Sequence, residues 1–199
     1  TEPLDPQRTE LAGLVARRAD LVAMIRAEKN RAGTCRDPWT LEQIASIVSM
    51  LEDQLQATTA RIAALVERCA ELAEQGARLC SVPGIGPTLS ALLLARLPEL
   101  GRMDARRITS LAGLAPHACD SGLWRGKRRI WGGRADVRRA LTLAAFIASR
   151  YDPRIKAFRT RLQAAGKPAK LALTACARKL LTILNAMFRD RSDYAKQAA

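Results

Sequence analysis

One stretch of the chain combines a reactive hydroxyl with dense positive charge. Asp120-Ser121-Gly122 is followed by Arg125, Lys127, Arg128 and Arg129, then by Arg134, Arg138 and Arg139. Residues 123–139 hold seven basic side chains and one acid, Asp136. A serine beside glycine is sterically open. Guanidinium groups around it would hold the non-bridging oxygens of a phosphodiester and stabilise charge developing on them. Such a serine could attack phosphorus, and the phosphoserine ester would conserve the energy of the broken bond for rejoining without ATP. The same residues could equally be an ordinary loop hydroxyl and a plain grip on phosphate, and residue types alone leave both readings open. Trp124 and Trp131 could stack on bases or anchor the segment to a core.

A second candidate is Val82–Ala95, which resembles the hairpin and second helix of a helix-hairpin-helix module. Gly84 and Gly86 would let the backbone turn tightly. The amides of a helix opening at Pro87 would favour a phosphate. A plain glycine turn between packed helices is the alternative. Other chemistries find little support. The five cysteines (Cys35, Cys69, Cys80, Cys119, Cys176) are odd in number and form no C-x-x-C pair, and His117 is the single histidine. These counts argue against a disulfide framework or a zinc site and for reduced, cytosolic thiols. The seven acids of residues 81–199 are scattered, so no metal site is expected in this chain.

These groups must be positioned by helices. Apolar spacing predicts a helix over about 8–31. Asp37-Pro38 is a helix start, with Asp37 as N-cap. A heptad then runs Leu41, Ile44, Val48, Leu51, Leu55, Thr58, Ile62, Leu65, Cys69, Leu72, Gly76 and Leu79, the coiled-coil pattern. As one helix it would be a rod of roughly 60 Å. Because it outlasts the helix before it, pairing with a second chain is expected over a hairpin within one chain. Later helices are predicted from Pro87 to Pro98, from Asp104 to Gly113, over about 135–150, from Asp152-Pro153 to Gly166, and after Pro168. The last has an apolar face of Leu171, Leu173, Ala177, Leu180, Leu181, Leu184 and Phe188. Between them, 114–133 breaks all periodicity and is too long for a casual connector. Beyond a short extended piece in 123–131 no strand is expected, and the fold class is all-α.

Charge divides the chain. The net charge of +14 separates into −2 over residues 1–80 and +16 over 81–199. The expected organisation is a coiled-coil dimerisation region, 1–80, and a basic helical domain, 81–199. The basic excess points to a polyanion, with nucleic acid first. No apolar run approaches the ~20 residues of a membrane span, so no membrane partner is expected.

The order of several segments then resembles one family. Val82-Pro-Gly-Ile-Gly-Pro, Leu97-Pro-Glu-Leu-Gly-Arg and Leu111-Ala-Gly-Leu-Ala-Pro are followed by Asp120-Ser-Gly and Arg129-Ile-Trp-Gly-Gly-Arg. Val137-Arg-Arg-Ala-Leu, Gly166-Lys-Pro and Ala177-Arg-Lys-Leu-Leu-Thr-Ile-Leu-Asn complete the series. Together they resemble the C-terminal domain of the insertion-sequence 110 family of transposases, which includes Piv-type DNA invertases. The resemblance implies a transposase or site-specific recombinase guided by a structured bridge RNA, with the family's serine nucleophile falling on Ser121. It also implies Mg²⁺, held by four acids of an N-terminal RuvC-like domain that has no counterpart in this chain. The expectation is therefore a C-terminal fragment that binds DNA and guide RNA, forms a homodimer through its coiled coil and a tetramer in a synaptic complex, and carries out little or no strand exchange alone. Two alternatives are a non-catalytic nucleic-acid-binding module and a protein whose basic half meets an acidic partner protein.

Overall fold

The computed structural model describes residues 5–117, 120–121, 124–125 and 129–194, with the backbone alone at 117, 120–121, 124–125 and 129. Among them are eight helices: α1 (Pro6–Ala32), α2 (Pro38–Arg68), α3 (Ala70–Cys80), α4 (Pro87–Arg96), α5 (Ala105–Leu111), α6 (Ala135–Tyr151), α7 (Pro153–Ala164) and α8 (Ala169–Arg189). The fold is all-α. Four strands of two residues each, β1 (Pro116–His117), β2 (Asp120–Ser121), β3 (Trp124–Arg125) and β4 (Arg129–Ile130), decorate one connection. The extended backbone thus begins ahead of the 123–131 piece expected from sequence.

The helix starts follow their caps. Asp37 accepts from the Thr40 amide at 2.8 Å, and Asp104 accepts from the Arg106 and Arg107 amides. Asp152 accepts from the Ile155 amide, with Pro153 at the first helical position. Each satisfies donors that a helix start leaves orphaned.

Two compact units form, Thr1–Ala73 and Glu74–Ala199. In the first, α1 and α2 make an antiparallel hairpin. Arg61 bonds Glu10 at 3.0 Å, Arg17 bonds Gln54 at 3.0 Å and Lys29 bonds Glu52 at 2.6 Å. Such exposed pairs contribute roughly 0–1 kcal/mol each. The apolar seam contributes more: Leu21, Ile25 and Leu51 are buried there, with Val48 and Leu55 packed against them. Each buried aliphatic side chain is worth about 1.5–3 kcal/mol.

The expected continuous rod is corrected here. The ladder breaks at Cys69, whose backbone is extended (φ −97°, ψ 107°), and Leu72, Gly76 and Leu79 lie on the separate helix α3. Neither glycine nor proline stands at the break, so the heptad spacing ran on through it. At 1.5 Å per residue, the 31 residues of α2 span about 46 Å and nearly match the 27 of α1. The overhang that favoured a second chain is absent.

The second unit is built around α8, which packs on α5, α6 and α7. Ala172, Cys176, Leu180, Leu181 and Leu184 are fully buried. By length and composition α8 could cross a membrane, but here it is a core helix. Leu171, expected in its apolar face, is half exposed. The small residues Ala144, Ala145 and Ala148 line the inner face of α6, fully buried. They admit the turn before α4. Gly84, at φ +92°, sits so close that a Cβ there would lie 2.6 Å from the Ala144 carbonyl oxygen.

Candidate nucleic-acid interface

The connection from α5 to α6 begins and ends at one point. Gly113 (φ +67°) and Gly133 (φ +61°) occupy the left-handed region, where only glycine is free of strain. A Cβ on Gly133 would lie 2.4 Å from the Gly113 nitrogen, and one on Gly113 would lie 2.4 Å from the Gly132 oxygen. The Arg134 amide donates to the Leu111 carbonyl at 2.8 Å, while the Leu114 and Ala115 amides share the Thr109 carbonyl. The ends of the connection are thus clamped backbone to backbone on the helical core.

Side chains tighten this clamp. Arg138 Nη1 donates to the Gly132 carbonyl at 2.7 Å and, more weakly, to the Gly113 carbonyl at 3.4 Å. Arg134 grips Glu99 with both Nη atoms at 2.6 and 2.7 Å, and its Nη1 also donates to the Arg96 carbonyl. Arg96 in turn bonds Asp136 at 2.7 Å. The Arg134 hydrogen bond holds the Glu99 carboxyl below its ordinary value, and the same bond raises the Arg134 guanidinium. Burial pushes Asp136 up, but the Val137 amide and Arg96 outweigh it and leave the carboxyl lowered. Of Arg134 and Arg138, singled out from sequence as phosphate contacts, both Nη atoms of Arg134 and the Nη1 of Arg138 are engaged at the base of the connection. Arg139 is exposed and has no carboxylate partner among the described residues.

From this base an arm extends. In the β1·β4 ladder Pro116 pairs with Ile130 and His117 with Arg129. In the β2·β3 ladder Asp120 pairs with Arg125 and Ser121 with Trp124. The arm therefore brings the backbones of Ser121 and Arg125 into one ladder, with Arg129 in the ladder nearer the base. Gly122, Lys127 and Arg128 lie outside the described residues, as do the side chains of Ser121, Arg125 and Arg129. The other glycine candidates differ from one another. Gly84 is turned against α6, whereas Gly86 has nothing within 4 Å and opens α4 with no side-chain cap.

Sequence reasoning missed a further set of cations. Residues 150–179 carry nine basic side chains against one acid, Asp152. Asp152 is buried and accepts from the Tyr194 hydroxyl at 2.5 Å. Lys156, Arg161, Lys167, Lys170 and Arg178 have no carboxylate partner among the described residues, so α7 and the first half of α8 present uncompensated charge. The charge count of this stretch was the available signal, but it lies beyond the serine-bearing loop.

The donors needed for a divalent cation are not grouped here. Among the described residues no three of His, Cys, Asp and Glu come together, and Glu99, Asp136 and Asp152 are each held by a partner. These residues do not fit a Mg²⁺ site.

Comparison with known proteins places this geometry among others. Residues 76–160 match the profile described as the transposase IS116/IS110/IS902 family. The chain is 33% identical over 153 residues to the insertion element IS110 uncharacterized 43.6 kDa protein of Streptomyces coelicolor, covering 76% of this chain and 37% of that one. It is 36% identical over 138 residues to the pilin gene-inverting protein of Moraxella bovis, covering 67% and 42%. It is 32% identical over 186 residues to the insertion element IS900 uncharacterized 42 kDa protein of Mycobacterium paratuberculosis, covering 90% and 46%. The chain spans less than half the length of these curated relatives.

Proposed function

The chain belongs, through residues 76–160, to the IS116/IS110/IS902 family of transposases, and from that premise we propose that it is the serine-bearing part of a DNA recombinase. In this reading Ser121 Oγ attacks a phosphodiester phosphorus. An Oγ–P ester forms as the P–O bond to one deoxyribose breaks; the serine proton departs and the leaving oxygen gains a proton. One phosphodiester is exchanged for another, so the step reverses readily. Arg125, Lys127, Arg128, Arg129 and Arg139 hold the phosphates, and the amides behind Gly86 grip a further one. The likeness to a gene-inverting protein supports the inversion or transposition of DNA segments as the reaction class.

The observation that carries this reading is the clamped base. A loop that only gripped phosphate by charge would need no fixed origin, whereas attack on one phosphorus requires the hydroxyl to be placed closely. Gly113, Gly133, Arg134 and Arg138 provide that origin. The same reading includes a structured guide RNA, self-association through the helical hairpin into a dimer and a synaptic tetramer, a cytoplasmic site of action, and acids and Mg²⁺ supplied from outside this chain. Incubation with target DNA, guide RNA, Mg²⁺ and the acidic domain supplied in trans should give a protein–DNA adduct that survives denaturation. Ser121→Ala should abolish it. An adduct that persists in Ser121→Ala excludes the assigned nucleophile.

A further inference from the structure

A cavity of about 590 Å³ lies between the base of the arm and α8. Its apolar floor is Leu114, Pro116, Ile130 and Leu171, and Lys170 and Arg178 stand at its rim. Leu171 and Arg178 are seven residues apart, two turns along one face of α8, so both cations and the Leu171 part of the floor are held on one rigid element, while Leu114, Pro116 and Ile130 come from the base of the arm. The volume falls in the range of small-ligand sites. No acid lines it, and neither rim cation has a carboxylate partner among the described residues.

An apolar floor with two unpaired cations at the rim suits an anion that carries a flat apolar face. A nucleotide within a strand has that character, with a base for the floor and phosphates for the rim. The position is as telling as the chemistry. The Pro116–Ile130 rung that walls the cavity is the first rung of the arm bearing Ser121. Five residues of chain span at most ~18 Å. At 3.4 Å per nucleotide step along a DNA strand, this is a reach of about five nucleotides.

We propose that the cavity takes one unstacked base of the DNA strand that Ser121 would cut, with the flanking phosphates on Lys170 and Arg178. The inference rests on the reading of Ser121 as a group that meets DNA. It adds a place where the strand is gripped by a base, independent of sequence-blind contacts to the backbone.

The test compares binding of the chain to a fully paired DNA duplex, to the same duplex carrying one unpaired nucleotide, and to the matching RNA pair, by fluorescence anisotropy. The expected result is about tenfold tighter binding to the DNA with the unpaired nucleotide, the scale of a single base contact. Leu171→Asn, which makes the α8 side of the floor polar without changing charge, and Ala175→Met, which narrows the cavity, should each weaken that preference and leave affinity for paired DNA unchanged. The double variant Lys170→Ala/Arg178→Ala should flatten the salt slope for the unpaired-nucleotide probe by about two. If the variants keep the preference, if paired and unpaired probes bind alike, or if the RNA probe is preferred, this inference falls and the proposed function stands. If no DNA is bound at all, the proposed function falls and takes this inference with it.

Discussion

Gly113 and Gly133 meet backbone to backbone, so closely that a Cβ on Gly133 would lie 2.4 Å from the Gly113 nitrogen. This contact closes a connection of nearly twenty residues at its root. It turns a long basic segment from a tether into an arm with a fixed origin.

Gly133→Ala should therefore destabilise the second unit by at least about 2 kcal/mol, since both the left-handed φ and the close approach oppose it. The melting temperature should fall by about 4–8 °C. Gly132→Ala is the matched control. Its φ is +69° but nothing lies within 4 Å, so only the backbone strain of about 1 kcal/mol applies. Equal losses for the two variants would show that the contact carries no weight.

The Arg134–Glu99 pair should make the clamp acid-sensitive. The Glu99 carboxyl is lowered from its ordinary 4.5 by the Arg134 hydrogen bond. A depressed carboxyl contributes stability that is present above pH 4.5 and lost as pH falls through the lower folded value. Glu99→Gln should reduce the stability of the chain near pH 7 and flatten its acid limb below pH 4.5, read by circular dichroism melts across pH. Arg134→Lys cannot reproduce the bidentate grip and should cost about 1–2 kcal/mol. An acid limb unchanged in Glu99→Gln would remove the pair from the account.

Tyr194 and Asp152 give an alkaline counterpart. Tyr194 is buried and donates to the Asp152 carboxylate, and burial followed by that hydrogen bond pushes the phenol well above its ordinary 10.0. A raised group contributes stability that is complete below pH 10 and lost as pH rises toward the folded value. Tyr194→Phe should cost about 1–3 kcal/mol at neutral pH, because a buried carboxylate loses a donor. Its alkaline limb above pH 10 should be shallower than that of the wild type.

The hairpin of α1 and α2 already buries its own heptad seam, so the dimer of the proposed function would have to use another face. Ile47 and Met50 are exposed on neighbouring positions of α2. Ile47→Glu/Met50→Glu should convert a dimer to a monomer in sedimentation with unchanged helix content. A dimer that survives places the interface elsewhere.

Much of the helical frame was legible because its punctuation is local. Asp37, Asp104 and Asp152 read as caps, Pro153 as a first-turn residue and Gly166 as a stop, and each acts within a few residues of itself. What was hidden depends on contacts far apart in sequence. The break at Cys69 has no marker residue. Leu171 looks like core by composition, yet it lies on the face of α8 that lines a cavity. Arg134 and Arg138 have the same residue type as the arm's other cations, and only the positions of Glu99 and Gly132 reveal that they anchor its base. Gly84 and Gly86 sit two apart in one turn, but the nearness of Ala144 separates their roles.

The most direct measurement is the chemical identity of the residue joined to DNA. Trypsin should release Ile108–Arg125 from the trapped adduct, a peptide that contains both Ser110 and Ser121. After nuclease treatment, fragmentation mass spectrometry should place the nucleotide remnant on Ser121, with Ser110 unmodified. A remnant on Ser110, or on any peptide outside Ile108–Arg125, would contradict the account.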